Sequence, residues 1–125
     1  MEKQRFELVI VESPFSAKLA DGSLDAHMQT RHIEYARKCM FDCLQRGEAP
    51  FASHLLYTQE GVLDDTVPEE RIRGIDAGFA WHSKADRMVV YIDFGISTGM
   101  EAGIANATKL GLPIEKRTLP KASLP

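Results

Sequence analysis

Apolar residues along this chain fall into short β-branched runs separated by longer stretches that repeat every three to four positions, the pattern of strands alternating with helices. Phe6-Glu7-Leu8-Val9-Ile10-Val11 is almost unbroken in apolar character, which suits a strand covered on both faces, and Ser13-Pro14 ends it. A polar loop carrying Pro14, Asp21 and Gly22 extends to about Asp25. From about His27 to Arg46 the spacing predicts a helix: Ile33, Ala36, Met40, Cys43 and Leu44 form its apolar stripe, Arg31, Arg37 and Lys38 face outward, and Gly47 stops it. Ala49-Pro50-Phe51-Ala52 is a weak second strand, in which Pro50 is tolerable only near the start. Residues 53–65 show no clear period. Thr66-Val67-Pro68-Glu69 combines a capping threonine, an early proline and a following glutamate, so a helix is expected from there to about Lys84. The strand Arg87 to Asp93 follows, then a glycine-spaced loop, a helix stopped by Gly111 and Pro113, and a closing strand over 112–117.

This β-α-β-α-β-α-β order predicts an α/β fold: a single-domain, doubly wound parallel sheet of about four to five strands, flavodoxin/Rossmann-like, over residues 1–118, with 119–125 as a flexible tail. At 125 residues and 44% hydrophobic content the chain supports one core, part of which a subunit interface can supply. The formal charge is −3 and no basic block stands out, which argues against nucleic acid and against a membrane surface and leaves a small molecule as the expected partner. No apolar run approaches the roughly 20 residues that span a bilayer, and Met1 to Arg5 leads into a strand, so the expected location is cytoplasmic. Cys39 and Cys43 share one helix face in poor geometry for a disulfide and read as buried free thiols; no metal site is expected.

Chemistry concentrates between Asp93 and Gly103, where an apolar strand ends in a carboxylate and a glycine-spaced turn delivers Glu101. Thr98-Gly99-Met100-Glu101 reads as a capping box, or else as the placement of an ionised carboxylate at the positive end of a helix dipole, ready to attack a sugar carbon. Asp93 is a turn-forming residue or an acceptor for a ribose hydroxyl or nucleobase. As a pair they resemble the carboxylate pairs used at glycosidic centres. Neither a P-loop nor a dinucleotide fingerprint is present, and no cofactor is expected.

Several segments together resemble a known family. Asp93 and Gly99-Met100-Glu101-Ala102-Gly103-Ile104-Ala105, ahead of Gly111-Leu112-Pro113-Ile114, look like the nucleophile segment of the nucleoside 2-deoxyribosyltransferases and the related nucleoside 5'-monophosphate N-glycosidases. Val11-Glu12-Ser13-Pro14-Phe15 is similar to the family's first-strand turn over the sugar. Ser13-Pro14-Phe15, Pro50 through His54-Leu55-Leu56, and Ser97-Thr98-Gly99-Met100 match the pattern of a poorly characterised branch from phages and bacteria. The resemblance implies that Glu101 attacks the anomeric carbon, that Asp93 holds the base or a sugar hydroxyl, and that the protein is a homo-oligomer, dimer or higher. Asp76 is the nearest match to a further family aspartate, with a core-facing or surface-capping role as its alternative.

Other substrate-binding candidates are Ser13, Pro14, Phe15, His54, Tyr57, Ser97, Gly99 and Met100. His54 follows the weak second strand and either meets a ligand or is structural, Tyr57 stacks on a base or packs, and Ser13, Ser16 and Ser97 donate to a 5'-phosphate or cap turns. Trp81 and Phe79 read as core or interface residues and His82 as exposed. The expected function is cleavage or transfer of the N-glycosidic bond of a nucleoside or nucleoside 5'-monophosphate. The Asp93 to Glu101 spacing is longer than in the better-known transferases, which motivates the alternative of a non-catalytic nucleotide-binding module, phage-encoded in one form.

Overall fold

In the computed structural model, which describes residues 5–125, four parallel strands form one sheet in the order β2-β1-β3-β4: β1 Glu7–Glu12, β2 Glu48–Phe51, β3 Arg87–Tyr91 and β4 Ile114–Arg117. Strand alternation sends side chains to two separate cores. Val9, Val11, Val89 and Tyr91 pack with Tyr35, Cys39 and Cys43 of α1 (Ala26–Gln45), while Ile10, Met88 and Val90 pack with Met100 and Ala107 of α4 (Thr98–Lys109). The sheet is therefore covered on both faces, as the near-continuous apolar strands predicted. Central pairing is in register between Val9 and Arg87 through Glu12 and Val90, so the tips of β1 and β3 end side by side.

The helices differ from expectation in detail. The inner face of α1 is His32, Tyr35, Ala36, Cys39 and Cys43, one position away from the expected stripe, and Leu44 is exposed. Polar His32 and Tyr35 turn inward because each has a hydrogen-bond partner there, described below. Asp25 caps α1 by accepting from the Met28 amide, and Gly47, at φ 80°, lets the chain turn into β2.

Residues 53–65, without a readable period, contain the single-turn helix α2 (Ser53–Leu56). The next helix, α3, spans Pro68–Ala80, with Val67 rather than Thr66 at its N-cap. Thr66 instead donates to Asp64 through its hydroxyl and its amide, closing a turn. The chain continues as a 3-10 turn, His82–Lys84, in which His82 is buried beside Asn106 rather than exposed. Beyond β4 the segment expected to trail free carries Leu119 into the α1-side core, and Leu124 packs against that core. Residues 1–4 of the expected polar lead-in lie outside the described residues. Among the described residues no helix is long and apolar enough to cross a membrane.

Under α1 the guanidinium of Arg117 on β4 forms a two-pronged pair with Glu48 on β2, at 2.7 and 2.6 Å, and both residues are buried. This pair ties the two edge strands together and, through Tyr91, reaches Asp42 near the end of α1. The Glu48→Gln variant, which leaves the buried guanidinium with only the more exposed Glu115, at its Nε, as counter-charge, should lose on the order of 2–3 kcal/mol in urea unfolding.

Candidate active site

A cavity of about 300 Å3 opens beyond the carboxyl ends of the strands, at the lower end of the range for small-molecule sites. Glu12 and Ser13 from the end of β1, Ser53 and His54 from α2, Ser97 through Met100 from the start of α4, and Tyr57, Arg71, Ile75 and Phe79 on or near α3 line it. This is where open parallel sheets bind ligands, at the place between β1 and β3 where the strand order reverses.

The turn after β1 is held from α1: His32 Nδ1 lies 3.1 Å from the Phe15 carbonyl. Ser13 Oγ lies 2.8 Å from His54 Nε2, and the Phe15 ring meets the His54 ring edge-on. Burial pushes the His54 imidazolium down to about 4, with nearby His32 acting in the same direction, so the ring is neutral at pH 7. The Thr58 hydroxyl donates to the His54 carbonyl. Tyr57 lines the cavity while its hydroxyl accepts from Trp81 Nε1 at 3.0 Å, which couples the cavity wall to a half-exposed tryptophan at the surface. Close approach of α3 to α2 requires Gly78, since a Cβ there would stand 2.6 Å from Ser53 Oγ.

Glu12 is the cavity group that sequence reasoning overlooked. Its side chain follows Ile10 to the α4 side of β1 and lies against the helix backbone at Gly103, where a Cβ would stand 2.6 Å from Oε2. Among the described residues it has neither a hydrogen-bond partner nor a counter-ion, and desolvation raises its carboxyl pKa to about 8. It is therefore mostly protonated at neutral pH. The only available sequence signal was a lone carboxylate closing an apolar strand. Asp65 and Glu70 also line the cavity, but Asp65 pairs with Arg71 at 2.9 Å and Glu70 accepts from the Asp64 amide at 3.2 Å.

Ser13, Phe15, His54, Tyr57, Ser97, Gly99 and Met100 all line the cavity. Pro14 is buried in the turn behind it. Asp93 does not reach the cavity. Its carboxylate accepts from the Tyr35 hydroxyl at 2.6 Å and from the Leu119 amide at 3.1 Å, on the α1 side of the sheet. Glu101 is exposed and outside the cavity lining, because the start of α4 turns it outward. Nor does it close a capping box. Ser97 is the N-cap, accepting from the Met100 amide at 3.3 Å while its own amide points at the Met100 sulfur. Asp76 is likewise exposed on α3 and away from the cavity. No cluster of His, Cys, Asp and Glu that could hold a metal ion occurs among the described residues.

The chain belongs to the family described as a domain of unknown function, DUF7768, which matches residues 7–117. Its fold is similar to that of a 2-deoxyribosyltransferase from the psychrotolerant bacterium Bacillus psychrosaccharolyticus, with a TM-score of 0.58 and 18% identity over 89% of this chain and 72% of that one. No curated protein matches the sequence.

Glu12 makes stability depend on pH. Between its ordinary value of 4.5 and about 8 the unfolded chain has already released the proton that the folded chain retains, so this group's contribution falls as pH rises through that window. Glu12→Gln removes the effect. In thermal or urea unfolding it should match the unsubstituted protein near pH 4 and exceed it by on the order of 2 kcal/mol at pH 9, allowing for contact of the carboxyl with cavity water.

Proposed function

We propose that this member of the family breaks or transfers the N-glycosidic bond of a nucleoside or nucleoside 5'-monophosphate held in the cavity at the strand ends. One observation carries the reading: the Glu12 carboxyl lines the cavity against the backbone at Gly103, with no hydrogen-bond partner or counter-ion among the described residues, and desolvation raises its pKa to about 8. Departure of a nucleobase requires a proton on the base as the C–N bond breaks, and a carboxylic acid with a raised pKa is suited to deliver it. Apolar Phe15, Leu63, Ile75 and Phe79 supply walls for a base. The hydroxyls of Ser13, Ser16, Ser97 and Thr98, together with the first amides of α4, suit sugar hydroxyls or a 5'-phosphate. The likeness in fold to a 2-deoxyribosyltransferase supports the same class of reaction.

Glu12 does not take over the nucleophile's role expected of Glu101. A protonated Glu12 serves as an acid, whereas attack on the anomeric carbon requires an ionised carboxylate. Exposed Phe41 and Leu44 on α1 and Trp81 after α3 supply apolar surface for the homo-oligomer that belongs to this reading. A non-catalytic nucleotide-binding module is the second reading, favoured by the exposed position of Glu101.

Incubation with deoxynucleosides, ribonucleosides and their monophosphates, followed by chromatography for free base, separates the two. Base release is expected, with Glu12→Gln slower by on the order of 10^2–10^4 and Glu101→Gln close to the unsubstituted protein. A nucleotide that quenches or shifts Trp81 fluorescence and is recovered intact would favour binding alone. Loss of turnover in Glu101→Gln with normal turnover in Glu12→Gln would reverse the assignment.

A further inference from the structure

Glu12 and Ser13 are consecutive, so the end of β1 presents them to opposite sides: Glu12 against α4 at Gly103, Ser13 against α2 at His54. Ser13 is buried and lines the cavity, its Oγ 2.8 Å from His54 Nε2. Among the described residues no hydrogen bond other than this one reaches the His54 ring. We infer that Ser13 and His54 form the proton-accepting pair of this site and that the acceptor they activate is water, which makes the protein a hydrolase of the N-glycosidic bond rather than a base-exchanging transferase. The inference rests on the reading of the cavity as an N-glycosidic site.

In the reaction a water oxygen bonds to the anomeric carbon as the C–N bond breaks. The water gives one proton to Ser13 Oγ while the Ser13 hydroxyl proton passes to His54 Nε2, and the Glu12 carboxyl proton goes to the departing base. The products are the free base and the sugar with a hydroxyl at the anomeric carbon. His54 is left as an imidazolium and Glu12 as a carboxylate, and solvent carries the proton from the first back to the second. No covalent glycosyl intermediate forms, so a second base has nothing to intercept. Single-displacement glycosidases likewise use one acid and one base, with room for water beside the base.

His54 acts through Ser13 and is a positioning residue. His32 on α1 faces it, Arg71 with its partner Asp65 and Glu70 share the cavity, and Glu12 lies on the other side of the β1 tip. Burial keeps the ring neutral down to about pH 4, so the pair can accept a proton wherever Glu12 still holds one.

The test combines turnover with the tautomer of His54. In 15N-labelled protein at pH 7 the His54 ring is expected to carry its proton on Nδ1, leaving Nε2 as acceptor; a proton on Nε2 would overturn the pair. Ser13→Ala and His54→Gln should each lower kcat by on the order of 10^2 with little change in KM, and His54→Gln should remove the acid limb of the pH profile, which in the unsubstituted protein lies near 4. Ser13→Ala removes only one oxygen, so it decides the matter if His54→Gln does not fold. Unchanged kcat in Ser13→Ala, or exchange of the base when a second free base is added, overturns the inference while leaving N-glycosidic chemistry standing. If the unsubstituted protein releases no base from any nucleoside or nucleotide, the underlying reading fails, and this inference with it.

Discussion

The hydrogen bond from Tyr35 to Asp93 joins three parts of the chain that would otherwise end separately at the carboxyl edge of the sheet. Tyr35 reaches from the fully buried face of α1, the Asp93 amide donates back to the same hydroxyl at 3.1 Å, and the Asp93 carboxylate also takes the Leu119 amide beyond β4. One turn earlier on α1, His32 contacts the Phe15 carbonyl. A single helix thus anchors both turns that lead to the cavity, the one after β1 and the one from β3 into α4. Burial together with the bond to Asp93 keeps the Tyr35 phenol protonated across the accessible pH range, so this anchor does not loosen with ordinary changes of pH.

The two carboxylates at that edge are treated in opposite ways. Asp93 accepts from the Tyr35 hydroxyl and the Leu119 amide, and a carboxylate so engaged is a structural element. Glu12 faces α4, meets the bare backbone at Gly103, and has nothing among the described residues to compensate a charge. Burying an unpaired carboxylate is costly, and the group responds by keeping its proton. The strand that supplies the centre of both cores therefore ends in an acid whose strength is set by its surroundings, with a neutral Ser13–His54 pair beginning one residue later. Of the charged residues that line the cavity, Arg71 is matched by Asp65, while Glu70 meets the Asp64 amide. Phe15, Leu63, Ile75 and Phe79 give the same cavity apolar walls that suit an aromatic part of a ligand.

Much of the fold was legible in the sequence, because continuous apolar runs such as Leu8 to Val11 and Met88 to Ile92 suit only a sheet covered twice. Errors arose wherever a polar side chain faced inward. His32 and Tyr35 occupy the inner face of α1 through specific hydrogen bonds, so a hydrophobic stripe drawn without them lands one residue off and turns Leu44 inward when it is in fact exposed. A helix as short as α2 leaves no period to read. At the site, the residues of the motif segments, Ser13, His54 and Ser97 to Met100, meet at one cavity though they are distant in sequence. Which carboxylate enters that cavity was not legible. Glu101 and Glu12 are both acids at the end of an apolar element, and only the rotation of the first turn of α4 and the missing side chain at Gly103 decide between them.

The protonation of Glu12 is the central claim, and its carboxyl carbon reports on it directly. In protein labelled with 13C at glutamate carboxyls, with Glu12→Gln identifying the resonance, titration should show the Glu12 carboxyl ionising at about 8, far above the ordinary 4.5. A midpoint near that ordinary value would contradict the account, because the cavity would then hold a carboxylate at neutral pH and no acid for the leaving base.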